Sequence, residues 1–354
     1  MIRGDTPPKW GAAPGSVEEL EEHLSRPAAT VVDALRACPG DVLVLGAGGK
    51  TGTTFARMAR RAADAADAGN RSRSIIAASR FGNPGVAKSL SDAGVQVVHA
   101  DLADRAVLEA LPDAPNVVFL AGQKFGTRDY PAATWVTNVV IPFAVADRYR
   151  SSRIVVLSSG NVYPLVPATS AGARETDPVA PVGEYAATCV GRERAFEHAA
   201  RTHGTRSAIV RLNYAVDLRY GVLVDVALRI WRQEPVDLSM GHANVIWQGD
   251  ACAQALQCLP RCDVPPFVIN VTGPERLSIR SAALELGRLL GRTPRFAGTE
   301  AADALLSDTT RAQSLFGAPS VPVDALLSWV AEWISDGKPV LGKPTHFEER
   351  EGRF

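Results

Sequence analysis

The run Gly46-Ala-Gly-Gly-Lys-Thr-Gly52 places glycines at 46, 49 and 52, between the apolar stretch Val42 to Leu45 and a helical pattern starting at Thr53. Glycines in this register supply a tight turn, close approach of backbone to a pyrophosphate, and close packing of helix on strand. The amides around Lys50 and Thr51, at the start of the helix, face the anion. A glycine triplet alone is weak evidence, but a strand before it and a helix after it predict a dinucleotide site. A triphosphate-binding loop built on Gly49-Lys50-Thr51 would need a glycine where Val44 stands. Ser79-Arg80 ends the second apolar run, at the position where a carboxylate would hold a ribose 2′-hydroxyl and repel a 2′-phosphate. Ser79 and Arg80 can instead hydrogen-bond and neutralise that phosphate, so NADP is expected ahead of NAD. Asp101-Leu102, after the third run, is placed to meet the adenine end.

Residues of this kind must be held by strands. Near-continuous apolar runs occur at Val42 to Leu45, Ile75 to Ala78, Val95 to His99, Val117 to Leu120, Ile154 to Leu157, Ala208 to Leu212, Asn244 to Trp247 and Phe267 to Val271. Runs without alternation suit strands covered on both faces. Helical patterns such as Thr53 to Ala66 and Val190 to Arg201 separate them, which predicts an α/β fold with a Rossmann-type, doubly wound parallel sheet. Residues 1–40 read as an added helical arm, with Ser16 capping Val17 to Leu24 and Pro27 opening a second helix to Ala37. Residues 41–212 are then the dinucleotide-binding domain. Residues 213–341 form a smaller substrate lobe, from which 243–271 returns to the sheet, and 342–354 is a polar tail, loose or docked elsewhere.

Lys plus Arg equals Asp plus Glu at 38 each, so no net field favours nucleic acid or an acidic membrane. No apolar run reaches the roughly 20 residues of a membrane span, and the first residues lack a signal-peptide core, so a cytoplasmic protein is expected. Five cysteines fit free thiols in a reducing compartment. Cys252, Cys258 and Cys262 cluster, but within the helical stretch Asp250 to Arg261 and without a fourth soft ligand, so no metal site is expected.

From about Gly40 to Trp333 the chain resembles the extended short-chain dehydrogenase/reductase family, which contains the NAD-dependent epimerases and dehydratases. The resemblance rests on Gly46-x-x-Gly49-x-x-Gly52, Asp101-Leu102, Leu120-Ala121-Gly122-x-Lys124, Asn138, Ser158-Ser159-x-x-Val162-Tyr163, Tyr185, Arg211-x-Asn213 and Asn270, each after the expected strand. It implies an NAD(P)-dependent oxidoreductase or epimerase acting on a hydroxyl or ketone of a sugar-like small molecule. Ser159 would polarise the substrate oxygen and Tyr185 would be the acid/base. Ala121, Gly122 and Asn138 would join the cofactor contacts, and Asn161 and Asn213 would face the substrate. A homodimer is an allowed assembly.

The departures matter. The family places a lysine four residues after the tyrosine to lower its pKa; here the run is Tyr185-Ala-Ala-Thr-Cys189. A phenol ionises near pH 10 and needs a nearby cation to act as a base near neutrality, which a thiol does not supply. Lys124, from the loop after the fourth strand, or Arg192, one turn beyond Cys189, could restore the charge. Lys124 is the preferred candidate, because Arg192 is expected to point along its helix away from the pocket. Alternatively Tyr185 works only as a neutral donor, or the chain is a non-catalytic NADP-binding regulatory or scaffold protein. Gly160-Asn161 lacks the acidic pair of the dehydratases. Ala243-Asn244-Val245-Ile246 lacks the arginine that grips a sugar-nucleotide diphosphate, which disfavours a nucleotide sugar.

Overall fold

In the computed structural model, residues 11–69, 72–127 and 129–354 are described. Seven strands form one parallel sheet: β1 (Val42–Leu45), β2 (Ile75–Ser79), β3 (Gln96–His99), β4 (Asn116–Phe119), β5 (Arg153–Ser159), β6 (Ser207–Leu212) and β7 (Phe267–Val271). Their order is 7-6-5-4-1-2-3, so the chain reverses direction between β1 and β4. A crevice opens there, beyond the carboxyl ends of the strands. The apolar runs are explained by burial on both faces. Val42 and Val44 pack with Val31, Leu35 and Phe55 on one side, and Leu43 and Leu45 with Leu108, Val145 and Phe196 on the other. Each such side chain contributes about 1.5 to 3 kcal/mol on burial.

The seventh of the eight runs does not join the sheet. Within Asn244 to Trp247 only Ile246–Trp247 is extended, and it pairs with Ala215–Val216 outside the sheet. Asn244 instead accepts from Ser307 N and donates to Glu275 O, a side-chain task that removes it from a strand ladder. Only Phe267–Val271 of this stretch returns to the sheet, at its edge beside β6.

The arm forms α1 (Val17–Leu24), capped by Ser16, and α2 (Ala29–Ala37). Pro27 does not open α2; that helix starts after Ala28, with extended backbone and no side-chain cap. Leu20 and Leu24 belong to the core of the second lobe and Val31 and Leu35 to the sheet core, so the arm pins the two together. The sheet is flanked by α3 (Gly52–Ala66) and the long α4 (Gly183–His203). The second lobe packs α5 (Val222–Trp231), α6 (Ile279–Leu290) and α7 (Val323–Ser335) around Trp333, Val330 and Ile230. Cys252, Cys258 and Cys262 are buried free thiols. Among the described residues no helix is long and apolar enough to cross a membrane.

Candidate active site

Two cavities meet at the carboxyl ends of β1 and β4. The outer one, about 580 Å³, is lined by Gly46, Gly49, Ser79, Arg80, Asp101, Leu102, Ala121 and Gly122. The inner one, about 280 Å³, is lined by Lys50, Thr51, Lys124, Ser159, Asn161, Tyr185, Arg192 and Asn213. Both share Leu120, Gly122 and Gln123, so one elongated ligand can pass between them. Of the residues expected from the sequence to touch cofactor or substrate or to act in catalysis, all line one of the two cavities except Gly52 and Asn138.

The three glycines separate by task. Gly46 has φ +88°, and a Cβ there would sit 2.6 Å from the Ala121 nitrogen; on Gly52 it would sit 2.6 Å from the Ala47 Cα. These two make the turn and the helix packing possible. A Cβ on Gly49 would meet only the Gly46 carbonyl oxygen, at 3.5 Å. The protein itself leaves room at Gly49, so the absence of a side chain there serves what enters the cavity. The outer cavity also has walls that carried no sequence signal: Phe81, held at φ +44° and edge-on to His99, with Tyr130, Val136 and Ile141.

Asn138 lies in a π-helical turn, Val136–Val140, and is fully buried behind the loop after β4. It was expected among the cofactor contacts. Its side chain instead accepts from Gln123 N and donates to Gln123 O, both at 2.8 Å, and donates to the Thr188 hydroxyl. Pairing with both groups of one peptide fixes the loop, which makes Asn138 a positioning residue.

Tyr185, Cys189 and Arg192 fall at i, i+4 and i+7 on α4 and therefore share a face. Arg192 does not point away. Its guanidinium lines the inner cavity, donating to Leu157 O at 2.7 Å and to Asn138 Oδ1 at 2.8 Å, while its buried Nε has no partner. A Cβ on Gly122 would lie 2.5 Å from this guanidinium, so Arg192 occupies space that the missing side chain leaves open. Burial, and then Cys189, push the Tyr185 hydroxyl above its ordinary range, while the Arg192 charge and a hydrogen bond from Ser159 act against that. Lys124 has its Nζ 5.9 Å from the Tyr185 ring and donates to Thr345 O at 3.2 Å. The positive charge acting on Tyr185 thus comes from Arg192. Its one-turn spacing from Cys189 marks it as a candidate; the expectation that it points along its helix away from the pocket is what the structure corrects.

Ser159 Oγ donates to Asn161 Oδ1 at 2.9 Å and faces the cavity. Its neighbour Ser158 is also at the cavity wall but donates to Glu193. Glu193 forms a buried pair with Arg211 at 2.7 Å, and Arg211 donates to the Tyr163 hydroxyl, which donates to Asn270. Arg211, Tyr163 and Asn270 therefore form a closed network behind the site that ties β5, β6, β7 and α4 together.

The polar tail is docked. Thr345 donates through its amide and hydroxyl to Asp225, Phe347 is buried, and Arg350 pairs with Asp303. The Phe354 ring lies edge-on to Tyr185 at 5.6 Å and 4.1 Å from Lys124 Nζ. Thr345 so forms part of the wall of the inner cavity, with Phe354 packed beside Tyr185 and Lys124, and no local periodicity marks them out.

Burial, together with the Lys124 and Lys343 charges, lowers Lys50 to about 7, and burial lowers Lys124 to about 8. A lysine whose pKa is lower folded than unfolded binds fewer protons folded than unfolded between those two values, so its contribution makes stability rise with pH there. From about pH 7 to 8.5 the buried thiols, whose pKa values burial raises, act in the opposite sense but equally in both proteins, so the slope of unfolding free energy against pH is expected to be more positive in the wild type than in Lys50→Met. The difference should be about 1 kcal/mol per pH unit. Urea titrations at several pH values would measure it, and parallel curves would contradict the assignment.

The model of the NAD dependent epimerase/dehydratase family matches residues 42–216. No curated protein sequence matches the chain. Among solved structures, UDP-glucose 4-epimerase from Thermotoga maritima with UDP-glucose is similar at 17% identity and TM-score 0.68, over 84% of this chain and 99% of that one. UDP-glucuronic acid 4-epimerase from Bacillus cereus with NAD aligns at 17% identity and TM-score 0.69, over 84% and 99%. UDP-glucose 4-epimerase from Thermus thermophilus with NAD aligns at 18% and 0.66, over 82% and 98%. Likeness at this identity is likeness of fold.

Proposed function

Residues 42–216 belong to the NAD dependent epimerase/dehydratase family, and from that premise we propose that the chain is an NADP-preferring enzyme acting on a hydroxyl or ketone of a polyhydroxylated small molecule. One observation carries this reading: Tyr185, Ser159 and the Arg192 guanidinium line a cavity continuous with the groove lined by the glycine turn, Ser79-Arg80 and Asp101. The residues fit the cofactor. Gly49 leaves an open cradle, and the orphaned Arg192 Nε is a donor with nothing in the protein to meet it. When bound, the nicotinamide would supply the hydride acceptor or donor.

This chain's residues do the rest. Ser159 holds the substrate oxygen by its hydroxyl, and Tyr185 exchanges a proton with that oxygen. Arg192 offsets the burial of Tyr185, a task the missing lysine would have done. Because burial still leaves the tyrosine above its ordinary range, it is protonated at neutral pH. That favours proton donation to a ketone, with reduction as the preferred direction near neutrality. The near-ultraviolet absorbance of the reduced nicotinamide, followed with candidate ketones and alcohols, tests the reading. Turnover lost in Tyr185→Phe supports it. Cofactor binding with no turnover on any polyol or ketone would favour the scaffold alternative.

Arg80 is exposed at the mouth of the outer cavity beside Ser79, where it can meet a 2′-phosphate. Removing one charge-assisted contact costs about 1.5 to 3 kcal/mol. Arg80→Ala should therefore weaken NADPH by roughly tenfold or more and leave NADH nearly unchanged. Equal losses in fluorescence titrations with the two cofactors would remove the basis for NADP preference.

A further inference from the structure

Two cations in the inner cavity remain outside this mechanism. Lys50 Nζ lies over the Tyr220 ring, 3.1 Å from its centroid, and 5.5 Å from that of Phe125. Lys124 Nζ approaches the same Phe125 ring at 5.6 Å. Both side chains line the cavity that holds Tyr185 and Ser159. Each ammonium has three donors. Lys124 spends one on the Thr345 carbonyl, and Lys50 has no hydrogen-bond acceptor among the described residues. No carboxylate of the described residues lies within ion-pair distance of either; Asp217, Asp225 and Glu348 act only from further away.

Two like charges held in one enclosed space without a counter-ion oppose each other and lose hydration, an arrangement that costs stability unless something else uses it. The five unused N–H donors point to a ligand that brings the missing negative charge. The reading above gives the dinucleotide pyrophosphate to the Gly46 to Gly49 turn, which lines the outer cavity, so this anion would be a second one. We propose that Lys50 and Lys124 form an anion subsite beside the reacting centre, and that the substrate is a small polyol or keto-polyol carrying one compact anionic group, a carboxylate or a phosphate monoester. This rests on the oxidoreductase reading above for its substrate, but not for the subsite itself. Both lysines are needed because a point charge on a flexible stem holds an oxyanion without the fixed fork an arginine would supply.

The test uses the full chain, labelled with 15N-lysine and saturated with NADPH so that the outer site is filled. Inorganic phosphate and D-gluconate are added, with D-glucitol as the uncharged counterpart. The expected result is that phosphate and gluconate, and not glucitol, shift both Nζ signals and raise the pH at which each titrates by about one unit. Calorimetric affinity for phosphate and gluconate should fall about tenfold or more in Lys50→Met and in Lys124→Met and be retained in the two Lys→Arg variants, with NADPH affinity unchanged throughout. Whichever of phosphate and gluconate binds more tightly identifies the group. Glucitol binding as well as gluconate, with both lysine signals unmoved, overturns the subsite. So does loss of NADPH binding in proportion to loss of phosphate, which would assign the lysines to the cofactor. A chain that takes phosphate at these lysines but no NADPH would keep the subsite and remove the oxidoreductase reading.

Discussion

Gly49→Val should abolish dinucleotide binding while the protein melts near the wild-type temperature. A Cβ at this position would meet nothing closer than the Gly46 carbonyl at 3.5 Å, and the backbone there is outside the left-handed region. The branched side chain would instead project into the space beside the turn where a pyrophosphate must come close to backbone amides. Gly46→Ala and Gly52→Ala should behave in the opposite way. The first forces a side chain onto φ +88° and against the Ala121 nitrogen, and the second against the Ala47 backbone. Both should lower stability by about 1 kcal/mol or more, since a left-handed position and a close backbone contact tolerate only glycine. Thermal melts and NADPH fluorescence titrations on the three variants separate the effects. A folded Gly49→Val that binds NADPH as the wild type does would remove the cofactor from this loop.

Tyr185→Phe should reduce turnover by about 10² to 10⁴, the usual worth of a positioned acid/base, with NADPH affinity unchanged. The companion experiment concerns the charge that tunes Tyr185. In Arg192→Met the basic limb of the pH-rate profile should move to higher pH, because the Arg192 charge that lowers the Tyr185 pKa is removed while the burial that raises it stays. Cys189→Lys, made in the Arg192→Met background, should bring the limb back, since position 189 lies one turn from Tyr185 on the same helix face. Lys124→Met should leave the limb in place and act on KM instead. A limb that moves with Lys124 and not with Arg192 would reverse the assignment of the two cations.

The parts of the molecule legible in the sequence are those whose cause is local. Val42 to Leu45, the glycine triplet and the start of α3 announce a strand, a turn and a helix within about 25 residues. The carboxyl edge of a parallel sheet then brings Ser79, Asp101, Ala121 and Ser159 together whatever the loops do. Ser16 likewise caps α1 through a hydrogen bond to an amide three residues on. Where the reading of the sequence slipped, the deciding contact was distant. Asn244 to Trp247 has strand composition, yet its backbone follows side-chain bonds to Ser307 and Glu275. Asn138 has the residue type of a ligand contact, yet it faces a peptide fifteen positions away.

The choice between Arg192 and Lys124 shows the same division. Sequence establishes that both cations exist and that position 189 lacks one. Which of them acts on Tyr185 depends on Gly122 leaving space for a guanidinium and on Asn138 and Leu157 accepting from it. The tail, unpatterned in isolation, reaches the site because Asp225, Asp303 and the surroundings of Phe347 are waiting on the second lobe. Helix and strand propensities act between near neighbours, so the sequence by itself determines the sheet, the nucleotide turn and the list of reactive groups. Burial, and the charge that burial leaves unpaired at Lys50 and Lys124, are properties of surfaces brought together from remote parts of the chain, and only the tertiary structure decides them.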